Sequence, residues 1–315
     1  MIWLMWRQHR SQAALATIAL GALAIILAIT GVHMATTYHS ALRSCAATGT
    51  CDSVGDGLFN GDGAIIDLVN FTVVVPVLIG LFWGAPVVAR EIEEGTHRLI
   101  WTQSITRRRW LTIETITLIA AATIVTGMLG FAVTWWSRTL DLSQQNRFNK
   151  FDIQGFVPIA YAVFAAALGL TAGIVIRRTL PALATTLATV VGLRMVIANY
   201  LRPHYLAPMT KAVPISSSSG LTGSIWTLST RIVDATGATV PTDGIVSALP
   251  AACRQYIGTT RAQVLGCLAN QGWQNKIVYQ PANRFWTFQA IESAIFVVLA
   301  AALVATSFIV IRRDA

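Results

Sequence analysis

The chain has 315 residues, 54% of them hydrophobic and only 12% charged, with a formal net charge of +9 and a mean hydropathy of +0.60. That balance excludes a soluble globular domain and describes a polytopic membrane protein with room for six spans and one sizeable loop. The positive charge does not indicate nucleic-acid binding, because the basic residues form short clusters at the ends of apolar runs and do not line one polar domain.

Residues 1–12 place Trp3 and Trp6 among Arg7, His9 and Arg10, a pattern suited to an interfacial helix with its indoles at headgroup depth. The apolar run at 13–32 is longer than a signal-peptide core and reads as an uncleaved first span. Residues 33–63 are polar, glycine-rich and acidic (Asp52, Asp56, Asp62), and are expected to form a loop. The second span, 64–89, is long enough to cross with tilt or with a kink at Pro76. A charged island at 90–110 follows, with Arg90, Arg98 and Arg107 to Arg109. The third span, 111–136, ends in Trp135-Trp136, where an aromatic belt belongs. Glu114, one turn past Trp110, is expected to anchor the interface beside the arginines.

Residues 137–155 return to water, 156–176 form the fourth span, and Arg177-Arg178-Thr179 allows only a tight turn before the fifth span, 180–200. Prolines at 203, 208, 214, 241, 250 and 281 and the serine run 216–219 make 201–287 a loop-rich segment, with two short helices expected near 244–256 and 259–270. The sixth span, 288–311, closes on Arg312-Arg313.

The expected fold is an all-α membrane protein of six transmembrane helices. Its parts are the interfacial helix 1–12, spans one to five over 13–200 with the charged loop 90–110, an extracellular loop domain 201–287, and the sixth span with its tail, 288–315. Orientation follows from charge. Arg7, Arg10, the arginines of the island, Arg177, Arg178, Arg312 and Arg313 all fall on one side, against only Arg43, Arg138, Arg147 and Lys150 in the two short loops opposite. The arginine-rich side is read as cytoplasmic, with both termini on it, in the plasma membrane. All four cysteines, Cys45, Cys51, Cys253 and Cys267, then lie outside, where disulfides form. Four cysteines allow three connectivities. Pairing within each loop, Cys45 with Cys51 and Cys253 with Cys267, is preferred, and four free thiols are the alternative.

Catalytic patterns are missing from the sequence. It has no phosphate-cradling Gly-x-x-x-x-Gly-Lys-[Ser/Thr], no His-Glu-x-x-His and no Cys-x-x-Cys, and no metal site is expected. Charged residues inside spans are more informative, since an arginine near mid-bilayer costs roughly 2.5 to 3.5 kcal/mol without a partner or water. Arg194, in the fifth span, is expected to pair with Glu292 of the sixth, or else with Asp67 of the second, at the outer closure of a pathway. Snorkelling of Arg194 to the headgroups is the alternative. On the fourth span, Gly169 and Gly173 form a Gly-x-x-x-Gly face that permits close helix approach.

At the island, Glu91-Ile92-Glu93-Glu94-Gly95-Thr96, then Trp101-Thr102-Gln103-Ser104, then Thr106 to Trp110, the sequence resembles the type-2 ABC exporter permeases of actinobacteria. Leu201 to Tyr205 and Tyr279 to Glu292 resemble the same group. The resemblance implies the membrane permease subunit of an ATP-driven exporter for a hydrophobic or amphipathic substrate such as a drug, peptide or lipid. The chain itself would hold no cofactor and would not be an enzyme. ATP and Mg would sit on two copies of a separate ABC ATPase, and a second permease copy or a sister permease would complete the pathway. The island would be the coupling helix, with Glu91, Glu93, Glu94, Gly95, Thr96 and His97 at the ATPase groove. A membrane sensor or scaffold with a ligand-binding outer loop, or an intramembrane enzyme, is the alternative.

Overall fold

The computed structural model describes residues 2–49, 58–93, 106–142, 146–215, 225–240, 248–258 and 260–313. Among them are six helical stretches long and apolar enough to cross a membrane. The residues group into two compact units.

The first unit contains the spans. Helix α1 runs unbroken over Ile2–Thr48. The helix runs on through residue 12, where a separate interfacial helix was expected, and the loop expected over 33–63 is helical as far as Thr48; residues 50–57 lie outside the described residues. Polarity alone does not stop a helix. In this stretch Thr36, Thr37, Ser40, Ser44 and Thr48 turn their hydroxyls back to carbonyls three or four residues earlier. The helix stops at Gly49, whose φ of +71° suits a glycine terminator.

The second span is a chain of short pieces: α2 (Gly63–Phe71), a 3₁₀ turn (Thr72–Val74), α3 (Val75–Ile79), a π turn (Gly80–Gly84) and α4 (Ala85–Glu93). Each irregular turn contains the residue four positions before a proline. Pro76 has no N–H for the Thr72 carbonyl and Pro86 none for that of Phe82, so the α-helical ladder cannot close at either point.

The third span is α5 (Arg107–Leu142), the fourth α6 (Val157–Ile176) and the fifth α7 (Thr179–Val196), which continues into a π turn, Ile197–Leu201. The sixth lies in α9 (Phe285–Arg313). In α6, 78% of the central window is buried, against 33% or less in every other span, so α6 is the hub. It ends at Arg177, held in the left-handed region with φ of +57°. Large apolar side chains such as Ile18, Phe71, Phe82, Phe131, Leu180 and Val298 stay exposed, as expected where lipid is the solvent.

The second unit comprises Ala198–Trp286 with Asn146–Phe148. Here the all-α expectation is wrong. Strands β1 (Met209–Pro214), β2 (Ile225–Val233), β3 (Thr239–Val240) and β4 (Gln274–Pro281) form an antiparallel sheet in the order β1-β4-β2-β3. The strands are short, only partly buried and separated by prolines, so their alternation is weak in the sequence. A 3₁₀ turn (Ala251–Tyr256) and α8 (Arg261–Asn270) accompany the sheet. A capping box between Thr260 and Gln263 starts α8. Cys253 and Cys267 are joined by a disulfide with Cα atoms 5.7 Å apart, inside a small core with Ile215, Val240, Leu249, Leu268 and Trp273. The Asp234 carboxylate accepts from Thr236 and from the Ala238 N–H at the β2–β3 turn. Donation by the Thr236 hydroxyl is the largest cause holding that carboxyl below its usual range.

Candidate functional site

The packing of the second span on the fourth sets the site's frame. A methyl group added at Gly169 would stand 2.5 Å from the Gly80 carbonyl oxygen and 2.7 Å from the Ala85 nitrogen, and one at Gly173 would stand 2.8 Å from the Ala85 oxygen. From the other side, methyls at Gly80 and Gly84 would meet the carbonyl oxygens of Ala165 and Ala166 at 2.7 and 2.9 Å. The Gly169 and Gly173 face is therefore one side of a seam in which the two backbones touch. The π turn and the start of α4 form the other side.

At one end of this seam lies a cluster of charged and polar groups. Arg194, near the end of α7, sets its guanidinium carbon 4.3 Å above the Tyr161 ring, donates from Nη1 to the Val73 carbonyl at 3.1 Å, and places Nη2 3.8 Å from Asp152 Oδ1. The Tyr161 hydroxyl, from α6, is 2.9 Å from Asp152 Oδ1 and makes a short contact with Glu292 Oε1 of α9. Glu292 is buried, at 1% exposure. Arg194 and Glu292 thus belong to one network, with Tyr161 and Asp152 standing between them where a direct pair was expected. Asp67 is exposed on α2.

The connection between α5 and α6 is tied down beside this cluster. The Gln289 amide donates to the Phe151 carbonyl at 2.8 Å and accepts from the Val157 N–H at 3.0 Å, while the Gly155 N–H reaches Thr134 Oγ1 at 2.9 Å. Lys150 is buried here. Desolvation pushes its pKa down and the nearby Asp141 pushes it back up.

At the other end of the seam, α4 finishes at Glu93. Its Oε2 accepts from the Thr179 N–H at 3.0 Å and from the Thr179 hydroxyl at 2.6 Å. Thr179 is the first residue of α7, so Glu93 caps the fifth span's N-terminus from another helix. The Thr179 hydroxyl and then its N–H hold the Glu93 carboxyl below its usual range. Of the other island residues singled out by sequence, Glu94, Gly95, Thr96 and His97 lie outside the described residues, and Glu91 lies in α4. Cys45 is disulfide-bonded, and Cys51 lies outside the described residues. Glu114, expected at the interface beside the arginines, is buried, at 8% exposure.

Sequence reasoning missed Asp152, Tyr161 and Thr179. Tyr161 left a signal, since a phenol in an otherwise apolar helix needs a polar partner for its hydroxyl. Asp152 and Thr179 left none, because their roles depend on which helices are neighbours.

In all, the arrangement is a six-span body with a polar network at one end of a backbone-to-backbone seam and an acidic cap at the other. Compared with known families, residues 17–202, covering most of the first five spans, match the family described as ABC-2 membrane transporter related. The chain belongs to that family. It is therefore a multi-pass membrane subunit of the ABC transporter class, whose members work with an ABC ATPase. No curated protein and no solved structure gives a match.

Proposed function

We propose that the chain is the permease half of an ATP-driven exporter for hydrophobic or amphipathic cargo. ATP and Mg are held by two copies of a separate ATPase, and a second permease copy or a sister permease completes the pathway. The loop at 90–110 faces the cytoplasm and receives the ATPase's stroke, while residues 201–287 stand outside. The observation that carries the reading is the contact of Glu93 with Thr179. It fastens the end of the second span, at the start of the island, to the start of the fifth, so a push there would act on two helices at once. The seam along Gly169 and Gly173 extends that hold to the fourth.

Arg194, Tyr161, Asp152 and Glu292 form the outer closure in this reading. Apolar spans with few charges at depth suit greasy cargo better than ions or sugars. The test is co-expression with a candidate ABC ATPase from the same genome, co-purification, and ATPase stimulation by candidate hydrophobic compounds. Glu94→Arg and Gly95→Pro are expected to abolish co-purification or turnover, and unchanged complex formation and turnover in both would refute the docking role. A second reading, a sensor with a ligand-binding outer module, is favoured by the disulfide-joined sheet unit. It predicts that deleting residues 209–281 spares ATPase pairing and removes a ligand response.

A further inference from the structure

Glu114 belongs to neither the polar network nor the seam. It lies seven residues into α5, roughly 10 Å along the helix at 1.5 Å per residue, within a span long enough to cross the membrane. Trp110 and Leu118, one turn before and one turn after, lie on the same helix face and are buried at 5% and 7% exposure. Both belong to an apolar core shared with Ile79 and Val88 of the second span and Leu170 of the fourth, against which Phe308 of α9 also packs. Among the described residues Glu114 has no hydrogen bond and no ion pair. Arg108 and Arg109, which could have neutralised it, are exposed.

A second observation falls on the next residue. Thr112, Thr126 and Thr134 of the same helix each donate to the carbonyl four residues back, but Thr115 Oγ1 is buried without a partner among the described residues. Two adjacent polar side chains therefore have unused hydrogen-bonding capacity at one level of an apolar core. A carboxyl with no partner among the described residues is costly to keep inside a membrane, and such a group points to function there.

We propose that Glu114 and Trp110 form a recognition site for a lipophilic cation, which names the cargo class of the exporter proposed above and rests on that reading. The carboxylate supplies the countercharge, the indole a π face for a cation, and the surrounding leucines, isoleucine and valine a surface for an apolar body. An anion would meet repulsion. A sugar would need more polar partners than this core provides. Phe308, Val310 and Ile311, in the last turns of α9, pack against the same core.

The test is equilibrium binding of tetraphenylphosphonium to the full chain with its ATPase in neutral-lipid nanodiscs. Wild type is expected to bind saturably. Glu114→Gln should weaken binding at least tenfold, Glu114→Asp by less, and Trp110→Leu several-fold, while neutral triphenylphosphine oxide should bind all four alike. Should a variant fold poorly, wild type alone decides. Tetraphenylphosphonium should slow labelling of Glu114 by dicyclohexylcarbodiimide, read by peptide mass. No saturable binding, equal binding by Glu114→Gln, or no protection from labelling overturns the site. If the ATPase co-purifies and hydrolyses ATP while the cation fails to bind, only this site falls. If no ATPase associates, the export reading falls.

Discussion

Gly169→Ala is the most direct test of the backbone seam. The added methyl would stand 2.5 Å from the Gly80 oxygen, 2.7 Å from the Ala85 nitrogen and 3.0 Å from the Gly84 carbonyl carbon. All three are backbone atoms, so no side chain can rotate away, and α6 must move off the second span by several tenths of an ångström at least. Overpacking of this kind costs about 1 to 3 kcal/mol, and with rigid neighbours the upper end applies. Alanine's better helix propensity returns about 1 kcal/mol, leaving roughly 2 kcal/mol of destabilisation. Gly192→Ala in α7 is the matched control. It has nothing within 4 Å of the added methyl, so only the propensity gain acts and about 0.5 to 1 kcal/mol of stabilisation is expected. The two variants should differ by about 3 kcal/mol, on the order of a hundredfold in the unfolding equilibrium. Tryptophan-fluorescence unfolding in mixed micelles, run on both variants with wild type, reads that difference. If Gly169→Ala matches Gly192→Ala in midpoint, the helices are not in backbone contact there and the argument fails.

Three further outcomes follow from named contacts. Tyr161→Phe removes the hydroxyl that meets Asp152 and Glu292 and should cost about 1 to 3 kcal/mol. Combined with Glu292→Gln in a double-mutant cycle on stability it should be non-additive by at least about 0.5 kcal/mol, and strict additivity would count against the network. Glu93→Gln should weaken coupling of ATPase activity to transport at neutral pH. The Glu93 carboxyl is held below its usual value of 4.5, so its contribution is complete above that value and is lost as pH falls through the lowered one. The stability gap between wild type and Glu93→Gln should therefore be flat at and above pH 5 and close on further acidification, and a gap that survives unchanged at pH 2 would contradict the cap. Removing the Cys253–Cys267 bond, with a sequence separation of 14, should destabilise the sheet unit by about 3 kcal/mol, seen as faster proteolysis of residues 198–286 with helix content unchanged.

What the sequence revealed depended on the range of the physics involved. An apolar run of twenty residues identifies a membrane-spanning helix by itself, because desolvation of its backbone is a local cost. The six spans were legible for that reason. Helix ends were not, because the polar stretch after residue 32 reads as loop by composition, yet the helix runs on to Thr48 with its hydroxyls satisfied by its own carbonyls. The strands were missed because β1 and β2 gain stability only once β4 lies between them, and β4 is 41 residues beyond β2 in the chain. Arg194 and Glu292 were legible as charges out of place, but their intermediaries depend on which helices meet. A kink at Pro76 was one of two alternatives expected, tilt being the other, and a 3₁₀ turn precedes that proline; the π turn before Pro86 was not expected, although the same missing N–H accounts for both.

The two proline-linked breaks also constrain how a push at the island end could travel. A span with a 3₁₀ turn and a π turn looks built to bend, and a bending lever would dissipate a stroke before it reached the far end. The π turn, however, is the part of the span whose backbone lies against α6. Gly80 meets Ala165, Gly84 meets Ala166, and Ala85 meets Gly169 and Gly173. Bending there would part backbone atoms already in contact, so the hinge is closed by its neighbour. The 3₁₀ turn is held differently, since Arg194 donates to the carbonyl of Val73 within it and is itself held by Tyr161 and Asp152. That hold is polar, rests on a few atoms and can be exchanged. Motion begun at Glu93 and Thr179 should therefore carry α4, the π turn, α6 and the start of α7 as one body and emerge as strain on the Arg194 network. Spin labels on α4 and α6 should keep their separation through the ATPase cycle while labels on α2 and α6 change theirs. The reverse result would place the hinge at the π turn and leave the glycine seam with no part in transmission.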